Sequence, residues 1–120
     1  MRYAIIVLAL LGVLASPRPA AALTGNQLLR ACGSAPSGEI ACSFYVMGWR
    51  DAFMVTTVTT YKAAEMLEHN PKMTVCIPKA VENGQIKGVV LKYLRAHPAT
   101  LHKDVAVLTW MAMKEAFPCR

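Results

Sequence analysis

Three observations in the sequence predict an all-α domain, small and stapled by disulfides. Apolar residues recur at helical spacing over most of the chain beyond residue 23. Prolines, glycines and asparagines break that pattern at only a few points, leaving one short, one long and two medium helical stretches. Four cysteines, Cys32, Cys42, Cys76 and Cys119, are distributed so that each lies near a predicted helix end. The expected architecture is a short helix, a long helix and an antiparallel helical pair. At 120 residues the chain has apolar surface for one core and not for two.

The N-terminus reads as an export signal over residues 1–22. Arg2 gives it a positive start, residues 3–15 are apolar, and Ala20-Ala21-Ala22 supplies a small-residue cleavage pattern. The apolar run stops at Ser16-Pro17-Arg18, short of the ~20 residues that a membrane-spanning helix requires. The mature domain is therefore expected over residues 23–120, beginning near Leu23, with no membrane association once the signal is removed. Loss of Arg2 and Arg18 leaves eleven basic residues against seven acidic ones, a net charge of +4 instead of +6. These basic residues are spread along the chain without a run that could track a phosphate backbone, so nucleic acid is a poor partner. An acidic patch on a protein partner fits better.

All four cysteines follow the cleavage site, and an even count in an oxidising compartment implies disulfides. Zinc is disfavoured because no two cysteines fall within the short spacing that lets neighbouring ligands share one ion. Helix placement selects among the three pairings. Cys32 ends the first helix and Cys42 lies near the start of the second; Cys76 precedes the third helix and Cys119 follows the fourth. In an antiparallel pair the latter two ends coincide, giving Cys32 with Cys42 and Cys76 with Cys119.

Thr24 followed by Gln27 predicts a capping box for the first helix, which should stop at Gly33 in a left-handed C-terminal conformation. Residues 33–38 form a loop. A long helix then spans residues 39–69, ended by Asn70-Pro71, with Ile40, Phe44, Met47, Val55, Val58, Met66 and Leu67 as its buried stripe and Gly48 admitting another helix. Its weak stretch is residues 55–60, where β-branched side chains lower helix propensity. Asn83 is expected to cap a third helix from Gly84, burying Ile86, Val89, Val90, Tyr93 and Leu94 while Lys87, Lys92 and Arg95 face water. A last helix is predicted somewhere within residues 98–117, burying Leu101, Val105, Leu108, Met111, Ala112 and Ala116.

No constellation for catalysis emerges, so no catalytic, cofactor-binding or metal residues are assigned and no cofactor is expected. His69 and His97 sit at helix ends, where interaction with the helix dipole is the ordinary role; His102 is read as solvated. Glu65 and Glu68 are surface neighbours, and Asp51 is most simply a surface hydrogen-bonding residue. Gly84 and Gly88 lie inside a helix with no strand before them, which excludes a phosphate-cradling loop. Trp49, Phe53 and Trp110 are expected in the core, any exposed one becoming a candidate interface anchor. Partner-contact residues are not assigned, although residues 33–38 and 70–78 are the loops to mutate first.

Four segments, TGNQLLRAC at 24–32, CSFYVMGWRDAF at 42–53, CIPKAVENGQIKGVVLKYLRAHP at 76–98 and EAFPC at 115–119, together resemble the Rap/Tai class of type VI secretion immunity proteins. The resemblance covers essentially the whole mature chain. It implies a periplasmic all-helical protein that binds and inhibits a peptidoglycan amidase by obstructing its active-site cleft, acting as a homodimer and not as an enzyme. The residues by themselves also leave open an exported chaperone or a subunit of an envelope complex.

Overall fold

A computed structural model of the chain describes residues 21–66 and 74–120. The export signal expected over residues 1–22 lies almost wholly outside them, as do Leu67, Glu68, His69 and the stop predicted at Asn70-Pro71. Four helices follow in order: α1 (Gly25–Gly33), α2 (Ser37–Met66), α3 (Asn83–Ala96) and α4 (Val105–Ala116), with a 3-10 turn at Pro98–Thr100 between the last two. Among the described residues there is no strand, only isolated bridges pairing Thr24 with Asp104 and Val75 with Pro118.

The start of α1 satisfies its unpaired amides in two ways. Within the chain segment, Gln27 N–H donates to Thr24 Oγ1 at 3.3 Å and Thr24 N–H donates to Gln27 Oε1 at 2.8 Å, the capping box expected. Across the fold, Gly25 N–H donates to Lys103 O at 3.1 Å and Asn26 N–H to Leu101 O at 2.9 Å. The exchange is returned, because Val105 N–H at the start of α4 donates to Leu23 O at 2.8 Å. Free amides at two helix N-termini are thus satisfied by each other's flanking carbonyls. This explains why α4 begins at Val105 and not near Pro98. Residues 101–104 form a turn in which the Leu101 and Lys103 carbonyls meet α1, and Pro98 opens only a single 3-10 turn. Leu101 is accordingly half-buried in that turn.

Gly33 lies inside α1, and the helix closes through Ser34, whose N–H donates to Ala31 O at 3.2 Å, without a left-handed glycine. The connection to α2 is consequently shorter than the predicted loop. Ser34 O accepts from Gly38 N–H at 2.8 Å, and a Cβ at Gly38 would overlap the Ser34 hydroxyl and the Ala31 carbonyl. Cys32 and Cys42 are joined across this corner, closing a ring over 10 positions.

α2 continues unbroken through the β-branched stretch, reaching Met66. Its threonines tolerate the helix by turning their hydroxyls onto it: Thr57 Oγ1 donates to Phe53 O at 2.7 Å and Thr59 Oγ1 to Val55 O at 2.9 Å. The inward face is not the one expected. Cys42 and Val46 are buried, with Tyr45, Trp49 and Phe53 packed half-buried beside them, whereas Ile40, Phe44, Met47, Val55 and Val58 face outward.

α3 buries Ile86, Val90 and Leu94, with Val89 and Tyr93 packed at the edge of the core. It starts one residue earlier than predicted. Glu82 is the N-cap, its N–H donating to Gln85 Oε1 at 2.8 Å, and Asn83 instead accepts from Arg50 Nη1 at 2.8 Å, tying α3 to α2. Lys87 also departs from its expected solvent role, reaching Glu39 Oε1 at 3.2 Å. α4 turns Val105, Leu108, Thr109, Ala112 and Met113 inward, while Met111 and Ala116, expected to be buried, are exposed. The Cys76–Cys119 disulfide brings the segment before α3 to the end of α4, and Cys76 N–H donates to Phe117 O at 2.8 Å beside it. By loop entropy, closing rings over 10 and 43 positions stabilises the fold by about 3 and about 4 kcal/mol respectively.

One pair of substitutions and one single substitution test this packing. A Cβ on buried Gly25 would lie 2.7 Å from Leu108 Cδ1 and 3.2 Å from Leu101 O, whereas one on Gly88 of α3 meets nothing within 4 Å. In urea unfolding, Gly25→Ala should lose about 1–3 kcal/mol and Gly88→Ala should gain about 0.5–1 kcal/mol. Equal effects of the two would contradict the close approach of α1 to α4.

The second test concerns Tyr45, whose hydroxyl lies 3.4 Å from the hydroxyl of fully buried Thr109. Burial raises the Tyr45 phenol above its ordinary value, with the Thr109 hydrogen bond opposing the shift. The folded protein therefore holds that proton more tightly than the unfolded chain does. This contribution is intact below the ordinary tyrosine pKa of about 10 and is lost as pH rises through the raised folded value. Tyr45→Phe should cost about 0.5–1 kcal/mol at neutral pH and flatten the loss of stability in alkaline buffer.

Candidate binding surface

With its core side chains committed to packing and its cysteines to disulfides, the molecule offers chemistry only at its surface. α2 supplies the largest exposed apolar feature. From Ile40 to Val58 its outer side carries Ile40 (58% exposed), Phe44 (66%), Met47, Met54, Val55 (64%) and Val58. Their steps of three, four and seven residues, with Met54 and Val55 adjacent, place them along one side of the helix. Gly48 belongs to the same side and has open space above it, so it admits no helix within this chain; the close approach predicted there has no partner among the described residues.

The face owes its orientation to what lies behind it. Cys42 is fixed to Cys32 of α1, Trp49 Nε1–H donates to Ala106 O of α4 at 3.3 Å, and Trp49 stacks on Phe53 with ring centroids 5.3 Å apart. These inward anchors at 42, 45, 46, 49 and 53 leave the positions between them to solvent. The outer face is also sparing in charge. Glu39 at its edge is paired with Lys87, Arg50 is turned toward Asn83, and Asp51, exposed as expected, is the one carboxylate in the middle of the face.

Grooves adjoin both halves of this helix. One, of about 490 Å³, is floored by Ile40, Phe44 and Met47 and bounded by Ala35, Pro36 and Lys87, so the predicted contact loop at 33–38 borders it. The other, of about 460 Å³, runs between Phe53, Met54 and Val58 on α2 and the extended residues 75–79. Of the second predicted contact loop, residues 75–78 border this groove and 70–73 lie outside the described residues.

A second exposed feature lies on α4, where Val107, Trp110 and Met111 face outward and the Lys114 ammonium sits 5.2 Å from the Trp110 ring centroid. Trp110 is therefore the one of the three aromatics read as core that stands in solvent as a potential anchor; Trp49 and Phe53 are half-buried. His97 closes α3, its ring stacked on Tyr93 at 4.0 Å and its Nδ1 lying 2.8 Å from Tyr93 O. His102 is exposed in the turn before α4. Among the described residues no group of three or more His, Cys, Asp or Glu side chains is placed to hold a metal ion, and no helix is long and apolar enough to cross a membrane.

Searches among curated proteins and among solved structures give no match. The family profile of the Rap1a immunity proteins, in contrast, matches residues 24–119. That span runs from the Thr24 cap to the last disulfide cysteine and takes in all four helices, and by it the chain belongs to the Rap1a immunity protein family.

Proposed function

We propose that the chain protects its own cell by binding a peptidoglycan amidase delivered by a type VI secretion system, in the periplasm, and covering the enzyme's active-site cleft. The observation that carries this reading is the family match over residues 24–119. An export signal at 1–22 and two disulfides suit an oxidising compartment. The mature domain over 23–120 acts by surface complementarity alone; inhibition of this kind requires no group that reacts.

The active unit in this reading is a homodimer joined through the outer face of α2. Two copies that each carry a net positive charge gain nothing from Coulomb attraction, so they meet best where charge is sparse and apolar area is large. The stretch from Ile40 to Val58 has both properties, and Gly48 lets a second helix approach closely. A two-fold axis would set the same stripe on both partners.

Two measurements test these statements. Co-expression with each peptidoglycan amidase encoded beside the gene should rescue growth, and calorimetry should give a complex tighter than micromolar. Failure of every such enzyme to bind returns the chain to the chaperone or envelope-subunit alternatives, of which the chaperone predicts reversible loss of structure in acid. Light scattering on the mature protein should give twice the chain mass. Phe44→Glu should halve it with the helical spectrum retained, since the side chain is 66% exposed and supports no core contact; a monomeric wild-type protein would remove α2 as the joining surface.

A further inference from the structure

The outer side of α4 differs from that of α2 in charge. Val107, Trp110, Met111 and Lys114 follow one another at intervals of one to four residues along the same side of the helix, and the first three are 46%, 36% and 37% exposed. An exposed tryptophan is costly to leave in water and is the side chain that most often dominates a protein interface. Here it is already held in place by the cation of Lys114. Met111 is held too, its sulfur accepting from Tyr93 O–H at 3.6 Å.

The platform beneath is fixed at both ends. Val105 N–H is bound to Leu23 O, Trp49 and Tyr45 of α2 engage Ala106 and Thr109, and the Cys76–Cys119 bond follows the last turn. A surface ordered before it meets its partner loses little conformational freedom on binding. From residue 83 onward the chain carries six basic residues, Lys87, Lys92, Arg95, Lys103, Lys114 and Arg120, against Asp104 and Glu115. Only Lys87 of these is engaged in an ion pair among the described residues. The α3–α4 half is thus the positive half of the molecule, while the outer face of α2 has almost no charge with which to steer a partner.

Resting on the reading of the chain as an immunity protein, we propose that the outward side of α4, centred on Trp110, is the surface that docks into the toxin. Its occupant is a protein cleft with an apolar depression for the indole and a rim of carboxylates facing Lys114 and its basic neighbours. The two surfaces then divide the work. α2 joins like to like through apolar contact, and α4 recognises an oppositely charged partner that long-range attraction brings in.

The test uses the mature chain and secreted peptidoglycan amidases, beginning with any encoded beside its gene, in calorimetry and stopped-flow binding. Trp110→Ala should raise the Kd at least about thirtyfold, the loss typical of a central interface residue. Lys114→Glu should slow association severalfold at low salt, with the difference vanishing at high salt. Val107→Asp, at a position that supports no core contact, guards against a folding defect in the tryptophan variant; it should weaken binding while melting temperature and chain mass stay at wild-type values. If the wild-type chain binds an amidase and all three variants bind it equally well, α4 is not the docking surface and the immunity reading stands. If the wild-type chain binds none of the enzymes, the immunity reading falls and this assignment with it.

Discussion

Cys42 decides how the thirty-residue α2 helix is turned. Its bond to Cys32 holds one line of the helix against α1, and because a helix has only one side on which residues 42, 46, 49 and 53 fall together, that single tether also sends Trp49 to the carbonyl of Ala106 and Tyr45 to the hydroxyl of Thr109. The contacts of α2 with α4 are in this sense a consequence of its contact with α1. So is the exposure of Ile40, Phe44, Met47, Val55 and Val58, which are large and apolar yet point away from the core that the described residues form.

The sequence made some of this plain. The capping box at Thr24, the inward stripe of α3 and the pairing of the cysteines each follow from local rules that tertiary structure had no reason to override. The inner face of α2 was harder, because the helix has two apolar sides and periodicity alone does not say which one meets the core. The signal that could have separated them was Cys42, since a disulfide-bonded residue must share the side facing its partner, and counting from it gives Tyr45, Val46, Trp49 and Phe53. The start of α4 was not legible for another reason. Residues 101–104 have ordinary helix-compatible composition, and the turn they make instead sets the Leu101 and Lys103 carbonyls on the distant amides of Asn26 and Gly25. Asn83 shows a third kind of miss: it suits a cap by type, but Glu82 with Gln85 already provides one, which frees its side chain for Arg50.

The candidate surfaces were legible only in outline. Ala35 and Pro36 of the first loop and residues 75–78 of the second do border grooves, but the grooves are floored by α2 side chains that the sequence had placed in the core. The exposed tryptophan on α4 was likewise hidden by composition, since tryptophan is buried in most contexts and nothing near Trp110 in sequence marks it as different. What distinguishes the two surfaces is charge: basic residues are spread along the whole chain, but from residue 83 onward six of them face only two acidic residues, whereas residues 23–82 carry five of each. Under the proposed assignment, separating a neutral self-contact from a charged partner contact lets either be altered without the other.

The reciprocal hydrogen bonds between the starts of α1 and α4 also impose an order of assembly. Leu23, Gly25 and Asn26 emerge first from any channel that passes the chain N-terminus first, while Lys103 and Val105 emerge almost last. Until then α1 is a nine-residue segment, too short to persist as a helix in water without tertiary support. The Cys32–Cys42 ring closes over few residues and joins consecutive cysteines, so it can form early and hold α1 beside α2 while the rest follows. Completion waits for the C-terminal helix. A chain that stalls or is clipped before α4 retains a stapled hairpin with open amides and bare apolar faces, a species that proteases can distinguish from the finished protein.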